Sequence, residues 1–147
     1  MIERSLTIKA PNIQYHLCCL KKIQQKLSEP NALEKFISDS SVVEMLRATF
    51  VKQYQLDENN TELMKSMIDN AESFVLKPQR EGGGNNIYGN DIKQLYEKIS
   101  DKTELRKYVL MERIKYVDTE NYFIRPKKKT EKQNVIVELG ILGITIG

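Results

Sequence analysis

The sequence predicts an α+β fold in which helices come first and a mainly antiparallel sheet follows. Two observations support this prediction. In residues 1–72, apolar side chains recur at the three- and four-residue spacing of amphipathic helices, so this part is expected to be mostly helical. In residues 73–147, short apolar runs alternate with turn residues, which is typical of strands. A glycine-rich segment, Lys77 to Gly89, is expected to form a loop between two elements.

Three helices are predicted in the first part. The first follows Pro11, which suits a first helical position, and ends at the breaker sequence of residues 29–31. The second begins at a capping box formed by Ser41 and Glu44. The third is short and covers residues 63–68. The apolar face of the second helix consists of Val43, Leu46, Phe50 and Tyr54.

Strands are predicted where apolar runs are short. Residues 74–76 precede a Lys-Pro pair, and proline disfavours helix in the residue before it. Residues 108–111 form a second predicted strand, and residues 122–124 a third. The basic stretch 125–132, RPKKKTEK, is expected to be the solvated tip of a hairpin rather than a phosphate- or membrane-binding site. Between the first two strands, Asn90 is expected to cap a helix. The inner face of that helix consists of Ile92, Leu95, Tyr96 and Ile99.

The composition is that of one ordinary globular domain. The chain has 147 residues, of which 40% are hydrophobic and 29% charged, with a net charge of +3. Because basic and acidic residues alternate, we expect a solvated surface that binds neither nucleic acid nor a membrane. Cys18 and Cys19 are adjacent, which disfavours a disulfide between them, and they lack metal or redox spacing. No signal-peptide pattern is visible, so a reduced, cytoplasmic protein is expected.

Both ends of the sequence are apolar. Residues 6–9 are expected to form a strand near the start, and residues 135–137 and 141–146 form two strand-like stretches around Glu138. Chain ends normally lie at the surface and tolerate fraying. Apolar ends therefore predict that this chain is part of a longer protein.

The glycine-rich loop has the chemistry of a phosphate site. Three consecutive glycines remove every Cβ from one stretch of backbone, so its N–H groups can approach phosphate oxygens. Lys77 supplies a positive charge, Glu81 a hard oxygen ligand for Mg²⁺, and Asn85-Asn86 neutral donors. The loop is neither a P-loop nor a GxGxxG motif, and a flexible surface turn would also use glycines. Its position between a lysine-ending strand and a helix favours nucleotide binding.

Several strings of the sequence resemble eukaryotic glutathione synthetases, which are ATP-grasp ligases. VLKPQREGGGNNIYG is similar to the glycine-rich loop of that family. ERSLTIKAPNIQYHL, KKIQQKLSEP, LRATF, YVLMERI and ELGILG resemble further parts of it in the same order. The resemblance covers nearly the whole chain and is weakest over residues 31–45, 55–72 and 117–133. It implies a single partial ATP-grasp region over residues 1–147, with the loop as a mobile lid.

The resemblance also implies roles for individual residues. Lys9 and Lys77 would be the two ATP lysines, Glu81 would bind Mg²⁺, and Glu138 would contact the ribose or a metal. Residues 111–114 would line the adenine pocket. Taken alone, Lys9 could be a surface lysine, Met111 part of a core and Glu138 a strand-end carboxylate. The implied nucleotide-binding residues are Lys9, Lys77, Pro78, Gln79, Arg80, Glu81, Gly82, Gly83, Gly84, Asn85, Asn86, Tyr88, Met111, Glu112, Arg113, Ile114 and Glu138.

The activity implied by the resemblance is ligation of γ-glutamylcysteine to glycine. ATP would phosphorylate the dipeptide carboxylate, and the glycine amine would displace phosphate from the acyl phosphate. The implied cofactors are ATP and Mg²⁺, and the implied parent is a homodimer. No catalytic side chain is assigned, because positioning and charge neutralisation carry phosphoryl transfer. Since the family is several times longer, this chain alone is expected to be inactive. Two alternatives stay open: a related ligase with β-alanine or serine as acceptor, and a non-catalytic nucleotide-sensing or interaction module that docks through the basic turn.

Overall fold

The structure is a computed structural model that describes residues 4–80, 84–141 and 143. It separates into two compact units, Met1–Arg113 and Ile114–Gly147. The expected change from helices to strands at residue 73 falls inside the first unit, because strands after that residue pair with a strand before it. That residues 1–147 form a single partial domain stays a prediction.

Short helices and strands alternate through the described part of the first unit. The α-helices are α1 (Ile13–Cys18), α2 (Lys21–Ser28), α3 (Ser40–Ala48), α4 (Thr61–Asp69) and α5 (Asn90–Lys98). The strands are β1 (Gln53–Gln55), β2 (Phe74–Pro78), β3 (Ile87–Tyr88) and β4 (Tyr108–Glu112). Short 3₁₀ helices occupy Leu33–Lys35, Ala71–Ser73 and Lys102–Lys107.

The first predicted helix is two helices in the structure. Pro11 is not its first residue, because Asn12 is the N-cap of α1 and its side chain accepts a hydrogen bond from the Tyr15 N–H at 3.0 Å. Leu20 interrupts the helix with extended backbone (φ −65°, ψ 144°) and becomes the N-cap of α2. Periodicity alone did not detect this break, since the apolar residues keep helical spacing across it.

The predicted capping box at the start of α3 is wrong. Asp39, rather than Ser41 with Glu44, is the N-cap. Its carboxylate accepts hydrogen bonds from the backbone N–H groups of Ser41 at 2.9 Å and Val42 at 3.4 Å. The Ser41 hydroxyl, which donates to the same carboxylate at 2.7 Å, and these two backbone hydrogen bonds lower the pKa of Asp39. The cap thus lies two residues earlier than the sequence pattern indicates.

The predicted apolar face of α3 also extends too far. The helix ends at Ala48, and Tyr54 lies in β1. Its ring packs edge-on against Phe74, with the ring centroids 6.4 Å apart. The helix predicted over residues 63–68 is confirmed as α4. The helix after the loop is confirmed as α5, but its N-cap is Gly89 rather than Asn90.

The sheet of the first unit has the strand order β1-β4-β2-β3 and is antiparallel throughout. The strands predicted over residues 74–76 and 108–111 are confirmed as β2 and β4, whereas β1 and β3 were not predicted. The core face of this sheet packs against α4 and α5. Side chains from the core face are Tyr54, Phe74, Leu76, Ile87 and Leu110. The buried core consists of Leu56, Met64, Met67, Ala71, Phe74, Leu76, Ile92, Leu105 and Leu110.

The opposite face of the sheet carries Lys77, and we call it the Lys77 face. Residues paired across neighbouring strands share a face, and alternate residues along a strand change face. One row of the register therefore joins Gln55, Val109 and Lys77 on this face. The next row on the same face consists of Gln53, Met111, Val75 and Tyr88.

Helix α2 packs over β1 and β4. The Lys22 ammonium donates a hydrogen bond to Gln55 of β1, whose side chain belongs to the Lys77 face. Gln25 of α2 is buried, with 5% of its surface exposed. Val75 and Val109 are buried as well but lie outside the main core cluster. The Lys77 face is thus covered by α2 on the β1–β4 side.

The second unit contains a hairpin formed by β5 (Thr119–Phe123) and β6 (Glu131–Val135). The predicted strand at residues 122–124 is confirmed in part, since β5 starts earlier and ends at Phe123. The predicted hairpin tip is confirmed, although Glu131 and Lys132 belong to β6 rather than to the turn. Lys132 forms an ion pair with Glu120 across the hairpin at 2.5 Å.

The strand predicted over residues 6–9 does not form, and of the stretch predicted over residues 135–137 only Val135 lies in a strand, as the last residue of β6. Residues 6–9 have no strand, and Leu6 and Ile8 are fully exposed. Residues 136–141 have neither helix nor strand, and residues 142 and 144–146 lie outside the described residues. Cys18 and Cys19 are exposed free thiols. In the described ranges, no helix has the length and apolarity to cross a bilayer.

Candidate functional site

The glycine-rich loop connects two antiparallel strands, β2 and β3. Val75 pairs with Tyr88 and Leu76 with Ile87, so the loop closes a hairpin at one end of the sheet. Gly84 has a φ of +85°, which favours glycine. Glu81, Gly82 and Gly83 lie outside the described residues, and the predicted Mg²⁺ ligand is among them. The structure therefore places the two stems of the loop.

Three predicted site residues lie on the Lys77 face. Lys77 is next to Val109, in the row that starts at Gln55. Met111 and Tyr88 lie in the neighbouring row, on either side of Val75. Val75 and Val109 are 5% and 0% exposed, so apolar side chains form the floor of this face. A cation beside an apolar floor suits a ligand that has a flat ring at one end and an anion at the other.

Glu112 points to the other side of the sheet. Its carboxylate accepts a hydrogen bond from the Tyr54 hydroxyl at 2.7 Å and lies 3.8 Å from the Lys52 ammonium. Burial, together with this hydrogen bond and the negative charge, raises the pKa of Tyr54 to about 12. The Glu112 side chain thus fastens β1 to β4 and is not on the face that carries Met111.

Arg113 joins the edge strand β3 to the segment that precedes β2. Its guanidinium donates to the Glu72 carbonyl at 3.1 Å and lies 3.5 Å from the Glu72 carboxylate. The same guanidinium lies over the Tyr88 ring, 5.7 Å from the ring centroid. The Arg113 N–H donates to the Ser73 carbonyl at 2.9 Å. Arg113 therefore holds the predicted ATP-contacting ring of Tyr88 in place.

The loop stems are tied to their surroundings by amide side chains. The Gln79 Oε1 atom accepts a hydrogen bond from the backbone N–H of Lys22 at 3.2 Å. Gln79 Nε2 is buried and has no hydrogen-bond partner among the described residues. On the other stem, Asn86 Nδ2 donates to the Tyr88 hydroxyl at 3.1 Å. One stem is thus fixed to α2 and the other to the Tyr88 ring.

Lys9, Ile114 and Glu138 are not brought to this site by the first unit. The Lys9 ammonium donates to the carbonyls of Ser5 at 2.8 Å and Thr7 at 3.2 Å, within its own segment. Ile114, which is 66% exposed, and Glu138 belong to the second unit. Their nucleotide-binding roles stay predictions.

A cavity of about 440 Å³ lies at the base of the loop. It opens near the end of the sheet where Pro78 pairs with Tyr108, and Tyr108 packs against the core. Pro78, Ile87 and Tyr108 place part of its lining at the edge of the core face. The lining residues are Pro78, Gln79, Arg80, Asn85, Ile87, Lys107 and Tyr108.

The sequence did not predict that Lys22 lies beside the loop stem and the Lys77 face. Its ammonium donates to Gln25 Oε1 at 3.2 Å and to Gln55, and burial lowers its pKa. Lys22 belongs to the string KKIQQ, which indicates a helix but does not indicate which residues Lys22 contacts. The contact depends on β1, which was not predicted and which places Gln55 on the Lys77 face.

The side chains that the structure describes suit a nucleotide, whereas the predicted metal ligand lies outside them. The apolar floor and Lys77 suit a base and a phosphate, respectively. Among the residues that the structure describes, no group of three or more His, Cys, Asp or Glu side chains could hold a metal ion. The predicted Mg²⁺ site depends on Glu81, outside that part of the chain.

Comparisons with known proteins agree with the resemblance. The family model for the ATP-binding domain of eukaryotic glutathione synthase matches residues 6–147. The glutathione synthetase large chain of Schizosaccharomyces pombe is 44% identical over 147 residues, which cover 99% of this chain and 29% of that protein. Glutathione synthetase of Xenopus laevis is 39% identical over 149 aligned residues, covering 99% and 31%. The chloroplastic glutathione synthetase of Arabidopsis thaliana is 39% identical over 145 residues, covering 97% and 26%. The chain spans less than a third of the length of these relatives.

A solved structure shares the fold. The glutathione synthetase-like effector from Globodera pallida, in its apo form, superposes with a TM-score of 0.60 at 23% identity. The superposition covers 88% of this chain and 26% of that one. The helices and antiparallel sheet described above confirm the predicted α+β fold, and this likeness, together with the family match, is consistent with the predicted ATP-grasp type.

Proposed function

Because the chain belongs to the eukaryotic glutathione synthase family, as its ATP-binding domain, we propose that it binds Mg-ATP on the Lys77 face. The observation that carries this proposal is that Lys77, Met111 and Tyr88 share one sheet face beside the stems of the glycine-rich loop. These residues come from three strands, and only the register of the sheet brings them together.

The proposed arrangement follows from the chemistry of that face. The adenine ring lies along the row of Met111 and Val75, where apolar side chains replace water. The phosphates extend toward Lys77 and the loop, whose backbone N–H groups and lysine offset their negative charge. Glu81 is the proposed Mg²⁺ ligand, since a carboxylate oxygen is a ligand that Mg²⁺ prefers.

The whole enzyme, of which this chain covers less than a third, is proposed to join γ-glutamylcysteine to glycine. A carboxylate oxygen of the dipeptide attacks the γ-phosphorus of ATP, and ADP leaves. The glycine nitrogen then attacks the acyl carbon, and phosphate leaves with the bonding electrons. The residues of this chain neutralise charge and position phosphates rather than form covalent bonds. A cytoplasmic homodimer is proposed on the family resemblance.

Mg-ATP binding by this chain tests the proposal. We expect Lys77→Met to weaken Mg-ATP binding by about tenfold or more, because a charge-assisted contact to phosphate is lost. Isothermal titration calorimetry measures this affinity. Lys98→Met is the matched control, since Lys98 is exposed on α5, which packs against the core face. Equal affinities of the two variants would contradict the proposed site.

The ligase reaction is tested separately. An ADP-release assay with γ-glutamylcysteine and glycine is expected to show no turnover by this chain alone. Clear turnover would contradict that expectation but would not contradict the proposal that this chain binds Mg-ATP.

A further inference from the structure

Lys22 is a half-buried lysine that faces neutral partners. Its ammonium donates to Gln25 Oε1 at 3.2 Å and to the side-chain oxygen of Gln55. Burial lowers its pKa, and no neighbouring charge contributes to that shift. Within the described residues its ammonium forms no ion pair with a carboxylate. An ammonium that has lost part of its hydration and has only amide partners gains from a nearby anion.

Lys22 is next to the loop stem through its backbone as well. Its N–H is one of the first N–H groups of α2, which have no partner within the helix, and it donates to Gln79 Oε1. Gln79 is two residues after Lys77, at the point where β2 ends and the glycine-rich loop begins. The loop stem, α2 and Lys22 are thus held together by this hydrogen bond.

Gln79 leaves a donor without an acceptor at the same place. With Oε1 engaged by α2, the Nε2 group is the free end of the amide, and it is buried without a partner in the described part of the chain. A buried donor without an acceptor is unfavourable, so an acceptor there would stabilise the site. A half-paired ammonium and an unpaired N–H donor both call for the same type of partner, an anionic oxygen.

The register puts Gln55, the hydrogen-bond partner of Lys22, on the same face of the sheet as Lys77. Gln55, which Lys22 contacts, lies in one row with Val109 and Lys77 on the strands β1, β4 and β2. Neighbouring strands are about 4.8 Å apart, so Gln55 and Lys77 are separated by roughly 10 Å. With the Lys22 ammonium at Gln55 and the Lys77 side chain at the other end of this gap, both lysines can reach one phosphate chain between them.

We propose that Lys22 is a further phosphate-binding cation, which contacts the phosphate chain of the bound nucleotide from the side opposite to Lys77. This inference rests on the proposed function and adds a residue to it. Helix α2 then has a functional as well as a structural role, since it carries this cation and is fixed to the loop stem by Gln79.

The test compares Lys22→Met with Lys26→Met on this chain by calorimetry, with Mg-ATP and with inorganic triphosphate as ligands. Lys26 is one turn further along α2, where it is 74% exposed and pairs with Glu29 at 2.7 Å. We expect Lys22→Met to weaken the binding of both ligands by about tenfold. Lys26→Met is expected to leave both affinities within about twofold of those of the unchanged chain. Lys22→Arg keeps the charge and is expected to retain most of the affinity.

The outcomes show whether the role of Lys22 fails alone or together with the proposed function. If Lys22→Met binds Mg-ATP as tightly as Lys26→Met, while Lys77→Met does not bind, the role of Lys22 is wrong and the proposed function stands. If the unchanged chain binds neither ligand, both are wrong. Should Lys22→Met fail to fold in a thermal unfolding measurement, Lys22→Gln and Lys22→Arg replace it. Equal affinities of those two variants would then overturn the inference.

Discussion

At the residue scale, three neighbours in the sequence have three different surroundings. Met111 lies on the Lys77 face, Glu112 contacts Tyr54 on the other side, and Arg113 binds Glu72. The resemblance predicted all three as one adenine-pocket stretch. Because side chains alternate along a strand, only a known register can separate them. The sequence could therefore predict the stretch as a candidate, but not which of its side chains lie on the face where nucleotide binding is proposed.

The hydrogen bond from Tyr54 to Glu112 makes a prediction about alkaline stability. The pKa of Tyr54 is raised to about 12 in the folded chain, from an ordinary value near 10. The stabilisation from this neutral hydroxyl is therefore complete below pH 10 and is lost as the pH rises from 10 to 12. We expect Tyr54→Phe to lower the free energy of unfolding by about 1 kcal/mol at pH 8.

Urea unfolding at several pH values measures this effect. Between pH 10 and 12 the difference between the unchanged chain and Tyr54→Phe is expected to shrink. Tyr122→Phe, in the exposed hairpin of the second unit, is the matched control. A constant difference across this pH range would show that the hydroxyl does not titrate as described.

Gly89 makes a second prediction at this scale. Its φ is +49°, and a Cβ at this position would collide with the Glu72 carboxylate. We expect Gly89→Ala to lower the free energy of unfolding by about 1–3 kcal/mol, mainly from backbone strain, with a smaller contribution from displacing the exposed Glu72 carboxylate. Gly84→Ala is the control, because Gly84 also has a positive φ but no atom lies within 4 Å of the added Cβ.

Chemical denaturation of both variants separates strain from collision. In the background of Glu72→Ala, the loss caused by Gly89→Ala is expected to become smaller, whereas that caused by Gly84→Ala stays the same. If the loss of unfolding free energy in Gly89→Ala is the same with and without Glu72→Ala, backbone strain accounts for the whole effect.

At the element scale, the sequence predicted most helices but misplaced their ends. The face of α3 was extended to Tyr54 because its apolar residues keep helical spacing. The structure ends α3 at Ala48 and uses Tyr54 in β1, where its ring packs against Phe74 and its hydroxyl donates to Glu112. These contacts join residues far apart in the chain, and local pattern holds no signal for them. For the same reason, β3, a strand of two residues, was not predicted.

A prediction about the N-cap of α3 distinguishes Asp39, the cap in the structure, from the capping box of Ser41 and Glu44 predicted from the sequence. Asp39→Ala is expected to lower the free energy of unfolding by about 1 kcal/mol, because it removes the acceptor for two backbone N–H groups. Ser41→Ala is the matched control, and it removes only a hydroxyl that donates to Asp39 at 2.7 Å. If Ser41→Ala destabilises the chain more than Asp39→Ala, the capping box predicted from the sequence is the correct assignment.

At the scale of the whole molecule, the combination of helices with an antiparallel sheet was predicted from the sequence, but the alternation of helices and strands in the first unit was not. The division after Arg113 was not, because it depends on which strands pair. Lys77, Tyr88 and the stems of the loop could be named as candidate site residues, since a lysine-ending strand and glycines leave a local signal. The proposed role of Lys22 could not be predicted from the sequence, because its partner Gln55 is more than thirty residues away in the chain.

The methionines offer a direct test of the central claim, that the nucleotide lies on the Lys77 face. Met111 is on that face, Met64 and Met67 are in the core on the other side, and Met45 is exposed on α3. In a chain labelled with ¹³C at the methionine methyl groups, Mg-ATP is expected to shift the Met111 signal and to give nuclear Overhauser contacts between that methyl group and adenine protons. The signals of Met45, Met64 and Met67 are expected to stay in place. A shift at Met64 or Met67 with none at Met111 would contradict the account.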